Sequence, residues 1–225
     1  MNVSCDDISF THLPESESFA GRATPPSSLT DEQIWAEFRQ GSQPAFEHIY
    51  TKYFPVLYNY GRQFTADSEL VKDIIQDLFI YLQQKRSTLS AVSSIKFYLY
   101  KSFRNRIIRH LNRNIFVTND FTVEGGFDIA LNHQNPEAEM DEDLLHKMQQ
   151  ALQTLSARQR EIIMYYYYEG FNYAQITTIM GFGKIEYARI LMSRTILKLR
   201  KMLGVSAFVV ELILAAGISG SCVTV

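Results

Sequence analysis

The sequence predicts an all-α protein made of two small helical domains joined by a flexible acidic linker. Three observations carry that expectation. Apolar residues recur at spacings of three and four, and no useful stretch alternates with period two. Helix start and stop signals fall in two clusters, separated by an aperiodic stretch containing Gly125-Gly126 and Asn135-Pro136. Charge is sorted into blocks. With 225 residues, 46% of them hydrophobic and 13% aromatic, there is enough apolar material for packed cores.

Residues 1–28 hold the segments PES, GR and TPPSS without apolar periodicity and read as a disordered arm. Order is expected from Thr30, where Thr30 to Gln33 spells a capping box flanked by Leu29 and Ile34 as a hydrophobic staple. Gly41 ends that helix. Ser42-Gln43-Pro44 opens the next, which carries Phe46, Ile49, Tyr50, Tyr53, Phe54, Leu57 and Tyr58 and should kink at Pro55. Asp67 caps a third helix through about Gln84, and Ser93 or Ser94 opens a fourth through about Asn114. Residues 29–114 therefore form a first domain, and 115–140 a linker.

The second set begins at Asp141. Ser156 to Gln159 is another capping box, closed by Gly170. Asn172 caps a short helix ending at Gly181, and a long helix spans about Lys184 to Leu203. This gives a second domain over 141–204 and an apolar tail over 205–225. The tail is too weak to span a bilayer: its strong apolar residues supply about −3 kcal/mol on an insertion scale, and Glu211 costs about as much again. Packing against the second domain or a partner is the expectation instead.

A net charge of −2 hides its own distribution. Arg86 to Arg113 holds seven Lys/Arg and no acid, whereas Ile115 to His146 holds eight Asp/Glu and no Lys/Arg. Such alternation suits two separate surfaces meeting a polyanion, though solvated faces would also produce it. On the fourth helix, at 100° per residue, Phe97, Tyr100, Phe103, Ile107, Ile108 and Leu111 share one side. Tyr98, Lys101, Asn105, Arg106, Arg109, Asn112 and Arg113 share the other. Arg104 lies among the apolar residues, where it would snorkel out. Cations, amides and an aromatic so interleaved fit a surface that tracks a nucleic-acid backbone and stacks unpaired bases.

The stretch Phe171 to Met202 has the layout of a helix-turn-helix. Ile185, Ala188, Met192, Ile196 and Leu199 form the inward stripe of its second helix. Lys184, Glu186, Tyr187, Arg189, Ser193, Arg194 and Lys198 form the outward face. That face can enter a major groove, with Arg189 the candidate for a bidentate guanine contact. On the third helix Glu69, Asp73 and Asp77 stand at i, i+4 and i+8 beside Gln76. Like charges at that spacing cost about 0.2–0.5 kcal/mol per pair, so their retention suggests docking onto a basic partner. A plain solvated face is an alternative. A metal set is another, but no Glu-x-x-His partner helix accompanies it.

Enzymatic chemistry has little to rest on. The five histidines are dispersed, no nucleophile–base set is visible, and Gly181-Phe-Gly-Lys184 lacks phosphate-loop spacing. Neither a cofactor nor a small-molecule substrate is expected. Cys5 and Cys222 form no cluster and suit a reducing cytoplasm, and the start MNVSCDDISF lacks a secretory signal.

Several of these segments resemble the extracytoplasmic-function sigma factors. Asp73-Ile-Ile-Gln76-Asp77-Leu-Phe79 is similar to the D-x-x-Q-[DE]-x-F signature of region 2.2, and Phe46 through Tyr58 to the aromatic-rich region 2.1. Phe97-Tyr-Leu-Tyr100 with Arg104-Asn105 resembles regions 2.3 and 2.4. Leu155-Ser-Ala-Arg-Gln-Arg-Glu161, then Glu169-Gly-Phe-Asn-Tyr-Ala-Gln-Ile176 and Met180-Gly181, resembles region 4. The resemblance implies a non-enzymatic initiation factor that binds core RNA polymerase through Glu69, Asp73, Gln76, Asp77 and Phe79. It implies −10 promoter DNA contacts from Phe97, Tyr98, Lys101, Asn105, Arg106, Arg109 and Arg113, with a flipped base held within Arg86–Ile95. It implies −35 contacts from the outward face of the last helix, and an anti-sigma factor as a further partner. Three departures stand out: Phe97 where tryptophan is common, Ser156 for proline, and a turn at Gly181–Lys184 one residue longer than usual. A stand-alone helix-turn-helix regulator would explain the last helix, but neither the acidic stripe nor the first basic helix.

Overall fold

A computed structural model describes residues 29–114, 142–206, 209–211 and 214. The expected arm at 1–28 and the whole linker at 115–140 lie outside them. Among the described residues there are helices and no strands. In the first set, α1 spans Asp31–Arg39, α2 Gln43–Gly61, α3 Ser68–Lys85 and α4 Ile95–Asn114, with a short 3-10 turn at Arg86–Thr88. In the second, α5 spans Glu142–Gln153, α6 Ala157–Ile163, α7 Tyr173–Met180 and α8 Ile185–Leu203.

Local chemistry sets the boundaries. Thr30 and Ser156 each close the capping box read from sequence, and Asn172 closes a third with Gln175. Ser42 and Asp67 cap α2 and α3 through their side chains. Each such cap satisfies an N–H that the helix itself cannot, typically worth about 1 kcal/mol. Gly181 and Gly204 end α7 and α8 in the left-handed conformation, at φ 70° and 67°. Pro55 lies inside α2, which continues through it.

In the first bundle α2 packs on α1, α3 and α4, and α3 also packs on α4. Trp35, Phe38, Ile49, Leu57, Ile75, Leu78, Leu99 and Phe103 are buried between them. The three long helices converge at Gly61. A Cβ there would meet Val71 Cγ1 at 2.5 Å and the Phe103 ring at 2.8 Å. The second bundle gathers α5, α6 and α7 around α8, burying Met148, Leu152, Ile162, Ile176, Ile179, Ala188, Met192, Ile196 and Leu199. Val210 and Leu214 of the apolar tail are fully buried in the same core. Among the described residues no helix is long and apolar enough to cross a membrane.

The two bundles are not held apart. α4 packs on α7, and one continuous set of buried apolar residues runs through both domains.

Candidate polymerase and nucleic-acid interfaces

The acidic stripe forms on α3 as its spacing predicts. Val71, Ile74, Ile75, Leu78 and Leu82 face the core, which leaves Glu69, Asp73, Gln76 and Asp77 exposed on the opposite side. Lys72 bridges Glu69 at 3.0 Å, and this contact raises the pKa of the lysine. Phe79 corrects the sequence reading. It is only 3% exposed, with its edge against the rings of Phe46 and Tyr50 at 6.1 and 4.9 Å. The heptad arithmetic that puts Asp73 and Asp77 outside puts Phe79 inside, so it supports the stripe from beneath.

The start of α4 is fixed by α1. The Asp31 carboxylate accepts from the Ile95 N–H at 2.9 Å, and the Trp35 indole donates to the Ser90 carbonyl at 2.9 Å. Ser94 completes the cap through its Oγ, which accepts from the Phe97 N–H. The loop 86–94, in which the resemblance expects a base pocket, is thereby pinned to α1 at its middle and at its far end. Trp35 also lies 5.1 Å from the Tyr98 ring, so Tyr98 is half-buried, and that burial raises its phenol pKa.

Along the rest of α4, Asn105 and Arg109 are exposed and Lys101 is half-exposed. The Arg106 guanidinium lies 4.8 Å from the exposed Tyr81 ring of α3. Arg106 and Tyr81 thus form a cation–π pair that periodicity within α4 could not reveal. Backbone helix is described through Asn114, while the side chain of Arg113 lies outside the described residues.

Arg104 overturns the expectation that it reaches solvent. Its side chain is 12% exposed and pairs with Glu161 of α6 at 2.6 and 3.1 Å, while Nη1 donates to the Ile179 carbonyl at 3.3 Å. Glu161 is itself 4% exposed and accepts from the Tyr165 hydroxyl at 2.8 Å. The hydroxyls of Tyr60, from α2, and Tyr165 are hydrogen-bonded to each other. Burial alone would loosen the Arg104 proton, but the charge and hydrogen bonds of Glu161 more than reverse this and hold it tighter than usual. Burial, then the nearby Glu161 charge, pushes both phenols well above their ordinary range.

A second cross-domain pair stands beside the first. Lys96 Nζ meets a Glu169 carboxylate oxygen at 2.8 Å and donates to the Glu169 carbonyl at 3.1 Å. Lys96 Nζ also lies 5.5 Å from the Phe171 ring, which packs in T-shaped pairs with Phe97 and Tyr100 at 6.2 and 5.3 Å. Phe97, expected on DNA, is half-buried there.

Met164–Tyr168 continues α6 as a wide turn, in which the Glu169 N–H reaches the Met164 carbonyl at 2.9 Å. Within the run of four tyrosines, Tyr165 is fully buried, Tyr167 and Tyr168 half-buried, and Tyr166 exposed. Tyr166 stacks on Tyr173 at 5.0 Å.

On α8 the inward stripe is Ala188, Met192, Thr195, Ile196 and Leu199, with Ile185 half-buried. Thr195 had no place in an apolar reading; its hydroxyl is satisfied by the Leu191 carbonyl at 2.7 Å. Lys184 occupies the N-cap position, and Glu186, Tyr187, Arg189, Ser193 and Arg194 are exposed as expected. Arg189 lies 6.0 Å from the Tyr173 ring. Lys198 donates to the Thr154 carbonyl at 2.7 Å, so it ties α8 to the end of α5 even though it remains exposed. Ile190 and Leu197 are exposed on the same helix. Among the described residues no group of His, Cys, Asp and Glu could hold a metal ion.

Two family models match the chain: Sigma-70 region 2 over residues 49–115 and Sigma-70, region 4 over residues 151–201. Together they cover more than half of its length. No curated protein matches the sequence. Among solved structures, CnrH in complex with the cytosolic domain of CnrY shares the fold at a TM-score of 0.52 and 16% identity, over 77% of this chain and 97% of that one. The basic α4 thus lies within region 2 and the helix-turn-helix α7–α8 within region 4. The chain belongs to the sigma-70 family, as a transcription initiation factor that brings core RNA polymerase to promoter DNA.

Proposed function

We propose that residues 29–114 bind core polymerase and the −10 element, that 115–140 form an acidic tether, and that 141–204 read the −35 element. The exposed row Glu69, Asp73, Gln76 and Asp77 carries the polymerase assignment. It lies on the outer face of α3, and its like charges invite a basic partner. Asn105, Arg106 and Arg109, with Lys101 and Tyr98 beside them, take the −10 strand. Arg113 continues the same run of sequence. The exposed row Glu186, Tyr187, Arg189, Ser193 and Arg194 enters the major groove, with Lys184 and Lys198 at its flanks.

The protein performs no catalysis of its own. It favours melted over closed promoter DNA by binding the melted form more tightly, while the polymerase carries out the chemistry. It works in the cytoplasm, and an anti-sigma factor restrains it, in keeping with a fold shared with CnrH, which was solved bound to another protein.

The test is the double variant Asp73→Lys with Asp77→Lys in the full chain. Capture of core polymerase should be lost, while binding of a −35 duplex by α8 persists. Undiminished capture would refute the docking assignment.

A further inference from the structure

The exposed row Glu186, Tyr187, Arg189, Ser193 and Arg194 on α8 encloses a residue with no polar side-chain group. Ile190 is 46% exposed. Its neighbours three and four residues away on the helix surface are Glu186, Tyr187, Ser193 and Arg194, all of them exposed members of that row. At about 100° per residue, Ile190 lies roughly 180° from the middle of the buried stripe Ala188, Met192, Thr195, Ile196 and Leu199. No member of the row lies so directly opposite the core.

A single exposed aliphatic residue is ordinary on a protein surface. Position sets this one apart. A helix face that enters a major groove brings its centre nearest the bases, so Ile190 meets base edges ahead of the side chains around it. Its place along the axis agrees, because it stands in the second turn of α8, and the early turns of such a helix reach bases while later cations hold phosphates. A branched hydrocarbon has no donor or acceptor to offer there. Pressed against a polar base edge, it would strip water from that edge and return nothing. The apolar group that bases present in the major groove is the C5-methyl of thymine. We propose that Ile190 packs against a thymine methyl of the −35 element, as a specificity-determining residue beside Arg189. The assignment rests on the −35 reading above and adds a base to it.

The two side chains then discriminate by different chemistry. Arg189 selects by hydrogen bonds, whereas Ile190 selects by the methyl that distinguishes thymine from uracil. Burying one such group strengthens binding about fourfold. No phosphate is neutralised in the contact, so this factor is the same at low and high salt. Ile190 lies outside the buried core and alanine is the better helix former, so Ile190→Ala leaves α8 intact.

In the experiment the full chain, joined to core polymerase, selects duplexes from a library randomised across the −35 element. Each thymine of the selected element is then replaced, one at a time, by deoxyuridine, which pairs with adenine in the same way and lacks only the methyl. The wild type should bind about fourfold more weakly when one particular thymine is replaced, at every salt concentration. Ile190→Ala should bind the thymine and uracil duplexes alike at that position. Leu197, exposed on the same helix, lies about 10 Å further along the axis, nearly the full width of a major groove of about 12 Å. Leu197→Ala should therefore keep the methyl preference.

The uracil replacements in the wild type need no variant and decide the proposal by themselves if Ile190→Ala fails to fold. Indifference to every replacement would overturn it, and so would a selected element without thymine. A folded Ile190→Ala that keeps the preference, or a Leu197→Ala that loses it, would overturn it too. Each of these outcomes leaves −35 selection standing. If no −35 sequence is selected at all, the functional reading itself fails, and the methyl contact with it.

Discussion

α4 and α8 look alike as sequences and differ as surfaces. Both are long helices, of 20 and 19 residues, with an apolar stripe on one side and basic residues on the other. On α4 three cations are engaged: Lys96 with Glu169, Arg104 with Glu161, and Arg106 against Tyr81. On α8, Arg189 lies near Tyr173 and Lys198 holds Thr154, yet the row from Glu186 to Arg194 keeps its exposed face. Charge pattern tells where a polyanion could bind. Packing tells whether that place is vacant, and only the second distinguishes these helices.

The largest effect should come from treating a cation of each helix as structural. Arg104→Ala leaves Glu161 buried without its partner, which should cost about 3–5 kcal/mol in a denaturant melt. Arg194→Ala on α8 should change stability by no more than about 0.5 kcal/mol. Equal effects would erase the contrast. Next, Arg189→Ala should cost about 1–3 kcal/mol of discrimination at a single −35 base pair, measured by competition among duplexes. A uniform loss across all sequences would demote it to a phosphate contact. Smaller still, Arg109→Ala should weaken DNA binding with little regard to sequence and flatten the salt dependence by about one unit of slope. An unchanged slope would remove it from the backbone.

The least effect near neutral pH, and a growing one above it, belongs to Tyr60 and Tyr165. Their folded-state pKa values are raised above the ordinary 10.0, so the folded chain keeps protons that the unfolded chain gives up. Stability is therefore complete below pH 10 and falls as pH climbs beyond it. Urea melts at about pH 8 and about pH 11 should show the drop, and Tyr165→Phe should shrink it. A pH-independent midpoint would contradict the buried, coupled state of the two phenols.

Much of this fold was legible because its signals are local. Thr30 with Gln33, and Ser156 with Gln159, lie three residues apart, and their capping geometry follows from that spacing. The face of α3 was legible for the same reason. What failed was non-local. Arg104 and Glu161 are 57 residues apart, with the whole linker between them, so periodicity within α4 could only send Arg104 to solvent. A weak signal existed on each side: a cation among the apolar residues of α4, and an acid directly before Ile162-Ile163-Met164. One buried charge of each sign could have been paired. Phe79 was misplaced for another reason, since the motif that carries it combines outward acids with an inward anchor. Lys198 points across to α5, which a single-helix wheel cannot represent.

The wide turn at Met164–Tyr168 makes spacing there matter as much as chemistry. A turn closed by a five-residue step winds less per residue than an α-helix, and it separates Glu161 from Glu169, the two acids that reach α4. Removing one tyrosine without rewinding the turn would swing everything beyond it by roughly 100°. Glu161 would keep its arginine while Glu169 turned away from Lys96. A tyrosine exchanged for phenylalanine would disturb far less than a tyrosine deleted, so this run tolerates rewording better than shortening.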